Sequence, residues 1–245
     1  MKAPETAPRE TPPLRGIRVI TFDAGGTLLR PHPSVGAVYR EIALRHGIDR
    51  PAAALDRAFH EAFQHVSKDE TVLDPEARER DFWWRVVRHT FLTTGEASAS
   101  PAPRDAAADR LLRELFDELW IEFAHASRWR LFPDARATLQ TLHTAGYKLA
   151  VLSNWDKRLH TVLEETGLRP LFDAVIISSE AGAEKPDIAI FRAAERALGC
   201  PPAACLHIGD SRRHDIEGAT AAGWRSLLLR NDGAAPRPGE IGALG

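Results

Sequence analysis

The chain has 245 residues, of which 44% are hydrophobic, enough for one medium core or for a core domain with an insert. Its 32 basic and 34 acidic residues nearly cancel, which argues against nucleic acids and anionic membranes as partners and favours a small molecule. No apolar run approaches the ~20 residues that span a bilayer. Residues 1–15 are polar and rich in proline, unlike a secretory segment. We therefore expect a soluble, cytoplasmic protein.

The first predicted elements are a disordered lead-in and one strand. Residues 1–15 have no pattern that could pack. The apolar run Ile17 to Phe22 then has the length and composition of a buried parallel strand. From 34 to 125 helical periodicities follow one another with no convincing strand between them. This predicts a separate all-helical unit inserted between two parts of a core, 16–33 and 126–231.

Four helices are predicted in this unit, with a loop at 95–103 (GEASASPAP). They are Val35 to His46, Ala52 to Val66, Glu76 to Thr93 and Arg104 to Phe123. The bulky residues Trp83, Trp84, Trp120 and Phe123 are expected to pack the bundle rather than line a cleft. An insert directly after the first strand suggests a lid over the sheet edge where ligands of such folds bind, with hinges at 31–33 and 127–129.

After residue 125, short apolar runs alternate with helical patterns that end at glycines. The predicted strands are Leu149 to Ser153, Val175 to Ser178, Leu206 to Ile208 and Ser226 to Leu229. The predicted helices are Pro133 to Ala145, Lys157 to Thr166, Ile188 to Leu198 and Asp215 to Ala222. Such alternation is typical of a doubly wound parallel sheet. The Pro- and Gly-rich stretch 232–245 is expected to be a flexible tail. Cys200 and Cys205 lack a paired metal-site spacing and are expected to be small buried hydrophobes.

Polar residues with chemical potential follow the predicted strands. Asp23 ends the first strand before Gly25 and Gly26, Ser153 and Asn154 end the second, and Asp210 and Asp215 follow the fourth. Lys185 lies in a loop before a proline. Because the carboxyl ends of parallel strands share one edge of a sheet, these residues are expected to converge there. Carboxylates for a hard cation, a hydroxyl and a lysine are the groups needed to hold a phosphoryl group during transfer.

The ordered set DAGGTL, LSN, EKPD and GDSxxxD resembles the four motifs of the haloacid dehalogenase-like hydrolases, and the likeness spans roughly Ile17 to Leu229. The stretches AVLSNWDKRLHTVLEETGL and SSEAGAEKPDIAIF most resemble the branch that contains haloacid dehalogenase-like hydrolase domain-containing protein 3. The resemblance implies an α/β fold, with a Rossmann-like doubly wound parallel sheet as core and an inserted all-helical cap. It also implies a magnesium-dependent hydrolase that acts on a small phosphorylated molecule.

Residue by residue, the resemblance makes Asp23 the nucleophile that becomes an aspartyl-phosphate. Ser153 and Asn154 would bind the substrate, and Lys185 would hold both the phosphoryl oxygens and the Asp23 carboxylate. Thr27 would orient the nucleophile loop. The Mg²⁺ ligands implied in the same way are Asp23, the backbone carbonyl of Gly25, Asp210 and Asp215, the last directly or through water.

Gly25 departs from the pattern, because phosphatases of this superfamily usually carry there a second Asp that protonates the leaving oxygen. Such acid/base catalysis contributes about a hundredfold to ten-thousandfold in rate. Three readings follow. One is a phosphatase whose acid comes from elsewhere, such as a cap residue or His32, or whose leaving group needs little protonation. The others are a carbon–halogen hydrolase, which the metal-binding form of the last motif disfavours, and a protein that binds a metabolite or partner without substantial catalysis.

Overall fold

Eight strands and nine α-helices lie in the part of the chain that the computed structural model describes, residues 14–94, 106–230 and 236–244. The strands are β1 (Val19–Phe22), β2 (Leu29–Pro31), β3 (Trp129–Leu131), β4 (Lys148–Ser153), β5 (Ala174–Ile177), β6 (Cys205–Gly209), β7 (Arg225–Leu229) and β8 (Glu240–Ile241). The helices are α1 (Val35–Arg45), α2 (Ala52–His65), α3 (Pro75–Thr93), α4 (Ala106–Glu122), α5 (Ala135–Thr144), α6 (Arg158–Glu165), α7 (Ser178–Ala181), α8 (Ile188–Leu198) and α9 (Gly218–Ala221). A π-helical turn, Arg212–Glu217, precedes α9.

Six of the strands form one parallel sheet in the order β5-β4-β1-β6-β7-β8. Helices cover both faces: α5 and α6 contribute to the core on one side, and α8 and α9 to the core on the other. β1 and β6 are therefore buried along their whole length, which explains their largely apolar sequences. The predicted α/β class and parallel sheet are confirmed, and the strand ends share one edge.

The predicted helical insert is also confirmed, as the four helices α1 to α4. Ile42, Leu55 and Leu115 form its centre and are fully buried. Sequence determines where two of these helices begin, because a side-chain oxygen caps each start. Ser34 accepts a hydrogen bond from the N–H of Ala37, and Asp74 accepts one at the start of α3.

The large aromatic residues of the insert mostly pack against one another. Trp84 is buried in the bundle, and Trp83 stacks on aromatic rings of α2. Phe123 packs edge-on against Tyr39. Trp120 differs, because the guanidinium of Arg158, from the sheet domain, lies 3.5 Å from its ring centroid. The bundle-packing interpretation therefore holds for most of this set, and Trp120 also joins the insert to the core.

The two connections between insert and core run side by side as a narrow stalk. β2 and β3 pair antiparallel, with Arg30 opposite Arg130. Beyond them the N–H of His32 donates to the carbonyl of Arg128 at 2.8 Å. Both segments predicted as hinges lie at this stalk, so rotation there would carry the whole insert.

The end of the described chain adds an element that the sequence did not predict. Within the expected tail 232–245, β8 pairs with Leu228 and Leu229 of β7. The expected disordered segment 1–15, apart from residues 14 and 15, and the expected loop 95–103 lie outside the described residues. Cys200 and Cys205 are buried free thiols, as predicted. Among the described helices, none combines the length and the apolar character needed to cross a membrane.

Candidate active site

Asp23 stands at the carboxyl end of β1, in the centre of the sheet edge. Its N–H donates to the carbonyl of Ile208, which prolongs the pairing of β1 with β6 by one residue. Its Oδ1 accepts hydrogen bonds from Ser153 Oγ at 2.8 Å and from Lys185 Nζ at 2.7 Å. The residue is only 9% exposed. The predicted convergence of these three residues is therefore present.

Lys185 is the buried cation of the site, with 2% of its surface exposed. Its Nζ also donates to Asp215 Oδ1 at 2.5 Å. Burial by itself lowers the pKa of Lys185, but the carboxylates of Asp23 and Asp215 outweigh that effect and the net pKa is raised. The ammonium group therefore stays charged at neutral pH.

Asn154 contacts Lys185. Its side-chain oxygen accepts from the Lys185 N–H at 2.7 Å, and its side-chain nitrogen donates to the Lys185 carbonyl at 2.9 Å. Both ends of the amide thus hold the backbone of the loop that carries Lys185. In this structure Asn154, which the sequence suggested as a substrate contact, fixes the position of the lysine.

Carboxylate oxygens of Asp23, Asp210 and Asp215 lie within 4.8 Å of one another. Loss of hydration, followed by the charges of Asp23 and Asp215, raises the pKa of Asp210 to about 6. Burial would also raise the pKa of Asp215, but Lys185 and a hydrogen bond from His207 lower it well below its usual range. Three carboxylates with one lysine between them leave negative charge uncompensated. This donor set fits a hard divalent cation such as Mg²⁺.

Gly26 and Gly209 leave the space that the carboxylates of Asp210 and Asp215 occupy. A Cβ on Gly26, which has φ +83°, would stand 2.3 Å from Asp210 Oδ2, and one on Gly209 would stand 2.2 Å from Asp215 Cγ. Any larger residue would therefore displace a carboxylate. Thr27 is fully buried, and its hydroxyl lies 3.4 Å from Asp210 Oδ1, so it contacts one of the three clustered carboxylates.

The structure places an aromatic ring beside position 25, which the sequence did not indicate. Gly25 has no left-handed φ, and a Cβ there would meet Trp155 Cζ3 at 3.4 Å, an ordinary contact. Trp155 is thus the nearest group to a Cβ at this position. The Trp155 N–H donates to Ser178 Oγ at 3.0 Å, and its ring packs on Trp129 at 4.9 Å. Trp155 directly follows Ser153 and Asn154, and that adjacency was the available sequence signal.

The insert touches the loop that carries the lysine. Lys68, between α2 and α3, forms ion pairs with Glu79 of the insert and with Glu184, the neighbour of Lys185. A cavity of about 260 Å³ lies at this junction, lined by residues of both units. His32, the suggested substitute acid, lies in the stalk. Its side chain forms no hydrogen bond, to Asp23 or to any other group, within the described residues.

The sequence profile of the haloacid dehalogenase-like hydrolases matches residues 17–223. The chain is 37% identical over 224 residues to haloacid dehalogenase-like hydrolase domain-containing protein 3 of Bos taurus, covering 91% of this chain and 84% of that protein. The parallel sheet, the inserted helices and the acidic strand ends already define a hydrolase of this type. The chain belongs to the haloacid dehalogenase-like hydrolase family, and its likeness to the bovine protein confirms the predicted branch.

Two solved structures place the fold in context. YfnB of Bacillus subtilis, whose structure contains magnesium, is 20% identical with a TM-score of 0.63, covering 93% of this chain and 95% of that one. A 2-haloacid dehalogenase from Pseudomonas syringae pv. Tomato is 27% identical with a TM-score of 0.59, at the same coverages. The fold is thus shared with a carbon–halogen hydrolase, and the choice of reaction depends on the site.

Proposed function

We propose that this hydrolase is a magnesium-dependent phosphatase that acts on a small phosphorylated metabolite. The observation that carries the proposal is the convergence of three carboxylates and one buried lysine around Asp23. A carbon–halogen hydrolase has no need of a cation-binding acidic cluster beside its nucleophile. A protein that only binds has no need of a nucleophile held by two donors. The cluster therefore favours phosphoryl transfer over both alternatives.

The hydrogen bonds of Asp23 indicate which of its two carboxylate oxygens attacks the substrate. Oδ1 of Asp23 is held by Ser153 and Lys185, and Oδ2 accepts no hydrogen bond from the described residues. Oδ2 is thus the oxygen that attacks phosphorus, forming an aspartyl-phosphate while the bond to the leaving oxygen breaks. Water then cleaves the phosphorus–oxygen bond, which releases inorganic phosphate and restores the carboxylate.

Lys185 has a third N–H with which to hold a phosphoryl oxygen, and Ser153 would hold one by turning its single O–H away from Asp23 Oδ1. The ammonium group neutralises part of the charge that spreads over these oxygens. Asp23, Asp210 and the backbone carbonyl of Gly25 would hold Mg²⁺, with Asp215 in support. When bound, the ion supplies positive charge to the transferred group. Asp215 already receives a hydrogen bond from Lys185, so it links the cation site to the phosphoryl site.

Position 25, where phosphatases of this superfamily usually carry an acid, has no side chain here, and Trp155 stands beside it. Substrates whose leaving oxygen departs as a stable anion should therefore react best. The insert would close over this side as a lid that turns on the stalk, with Lys68 and Glu184 meeting across the junction.

The test is release of inorganic phosphate from a panel of phosphorylated metabolites and from 4-nitrophenyl phosphate, with Mg²⁺ or with EDTA. We expect metal-dependent turnover that Asp23→Asn abolishes, because an amide is not an anionic nucleophile. Asp49→Asn, at an exposed carboxylate on the insert, is the matched control. Halide release from 2-haloacids, or metabolite binding without turnover, would instead favour one of the other two readings.

A further inference from the structure

A histidine that takes no part in the proposed reaction lies directly behind the site. His207 is in the middle of β6, is fully buried, and stands opposite Thr21 of β1 in the sheet register. Its Nδ1 is 2.8 Å from Thr21 Oγ1, and its Nε2 is 3.0 Å from Asp215 Oδ1. The ring of Phe191 packs perpendicular to it, with centroids 5.8 Å apart. The imidazole is therefore fixed in position and orientation.

The partners of His207 determine which nitrogen carries the proton. Asp215 Oδ1 also accepts from Lys185 Nζ, so this carboxylate acts as an acceptor toward both residues. Nε2 must then donate to Asp215, and Nδ1 accepts from the Thr21 hydroxyl. A continuous chain of hydrogen bonds results, from Thr21 through His207, Asp215 and Lys185 to Asp23. It begins at Thr21 of β1 and ends at Asp23, the residue that directly follows this strand.

Three donors hold the Asp215 carboxylate. Oδ1 accepts hydrogen bonds from His207 Nε2 and Lys185 Nζ, and Oδ2 accepts one from the backbone N–H of Ser211 at 2.8 Å. We propose that His207 is a positioning residue: it fixes Asp215, and through Asp215 it holds the Lys185 ammonium against Asp23 and the phosphoryl group. The inference rests on the proposed phosphatase function for its kinetic consequence. Hydrogen-bond partners behind a ligand or catalytic group typically change metal affinity or activity about 10- to 100-fold when lost.

The experiment compares variants that remove or keep the donor. His207→Leu removes it, and His207→Gln keeps an N–H that can reach Asp215. Thr21→Val keeps the imidazole but removes the hydroxyl that selects its tautomer. Leu206→Ala, on the opposite face of the same strand, is a control for loss of stability without loss of positioning. Each purified protein is measured for urea unfolding, for Mg²⁺ affinity by calorimetry, and for kcat and KM with 4-nitrophenyl phosphate at saturating Mg²⁺.

We expect kcat to fall about 10- to 100-fold in His207→Leu, with weaker Mg²⁺ binding, and to recover largely in His207→Gln. Thr21→Val should show smaller decreases in kcat and in Mg²⁺ affinity, and Leu206→Ala should be less stable to urea with both values unchanged. Folded His207→Leu with wild-type kcat and Mg²⁺ affinity would overturn the inference. The inference would also be overturned if kcat fell by the same factor in His207→Gln as in Leu206→Ala. If wild-type protein releases no phosphate from any substrate, the proposed function fails, and the Mg²⁺ affinities still decide the role of His207.

Discussion

Replacing Lys185 by methionine should strongly destabilise the metal-free protein. The ammonium group lies between Asp23, which is 9% exposed, and Asp215, which is 1% exposed. Methionine fills a similar space but leaves two neighbouring carboxylates without their cation. Removing one partner of a buried ion pair typically costs about 3–5 kcal/mol, because the remaining charge is left uncompensated. At about 2–4 °C per kcal/mol for a chain of this size, the melting temperature should fall by roughly 6–20 °C.

The loss of stability in Lys185→Met should be larger at pH 7 than at pH 5. In wild type the pKa of Lys185 is raised and that of Asp215 is lowered, so both groups keep their charge between pH 5 and 7 and their contribution to stability is constant there. In the variant the cation that lowers the pKa of both Asp215 and Asp210 is gone, so the pKa of Asp210, already raised by burial and by the charges of Asp23 and Asp215, rises further above its unfolded value. Protonation then stabilises the folded state, so the variant should recover stability as the pH falls from 7 to 5.

Urea unfolding of both proteins at pH 7 and pH 5, without metal and then with Mg²⁺, measures these effects. Mg²⁺ should restore part of the loss, since it supplies positive charge to the same carboxylates. Lys148→Met is the matched control, because the Lys148 ammonium donates to the backbone carbonyl of Leu198 at 3.0 Å and is partly exposed. A loss below about 1 kcal/mol at pH 7, or a loss equal at both pH values, would refute the reasoning.

Three further outcomes are expected. Because the pKa of Asp210 is raised to about 6 in the metal-free site, Mg²⁺ must displace a proton at lower pH, and its affinity by calorimetry should be clearly weaker at pH 5 than at pH 7. Equal affinities would place the ion elsewhere. Gly25→Asp should raise the rate on alkyl relative to nitrophenyl phosphates by up to about a hundredfold, and adding Trp155→Ala, which removes the ring nearest to that position, should increase the gain. The same ratio in wild type and in both variants would contradict this. Lys68→Met should raise KM by up to about fivefold, which corresponds to the free energy of one partly exposed ion pair, here the pair with Glu184. The variant should also remove the effect of 0.5 M salt on KM, because salt screens this pair in the wild type. An unchanged salt dependence would argue against this contact as part of lid closure.

The sequence by itself determined the parts of this protein that depend on neighbours along the chain. The strand that precedes Asp23 is a largely apolar run, α1 to α4 carry their own periodicity, and α1 and α3 carry capping residues. Local patterns of this kind are set by backbone geometry and by burial of one face, so they can be read without knowing the tertiary partner. Ordered motifs at strand ends likewise indicated a shared site, because parallel strands place their carboxyl ends at one edge.

Tertiary structure alone decided the contacts between residues far apart in the chain. β2 and β3 are each three residues long, too short for a pattern, and they exist because the ends of the insert lie side by side. Asn154 holds Lys185, and Trp155 stands beside Gly25, only because β4 pairs with β1 and with β5. His207 is one more buried residue of β6 until the register places it between Thr21 and Asp215. Such contacts depend on strand order and register, which arise from packing of the whole sheet and leave no periodic signal in any one segment.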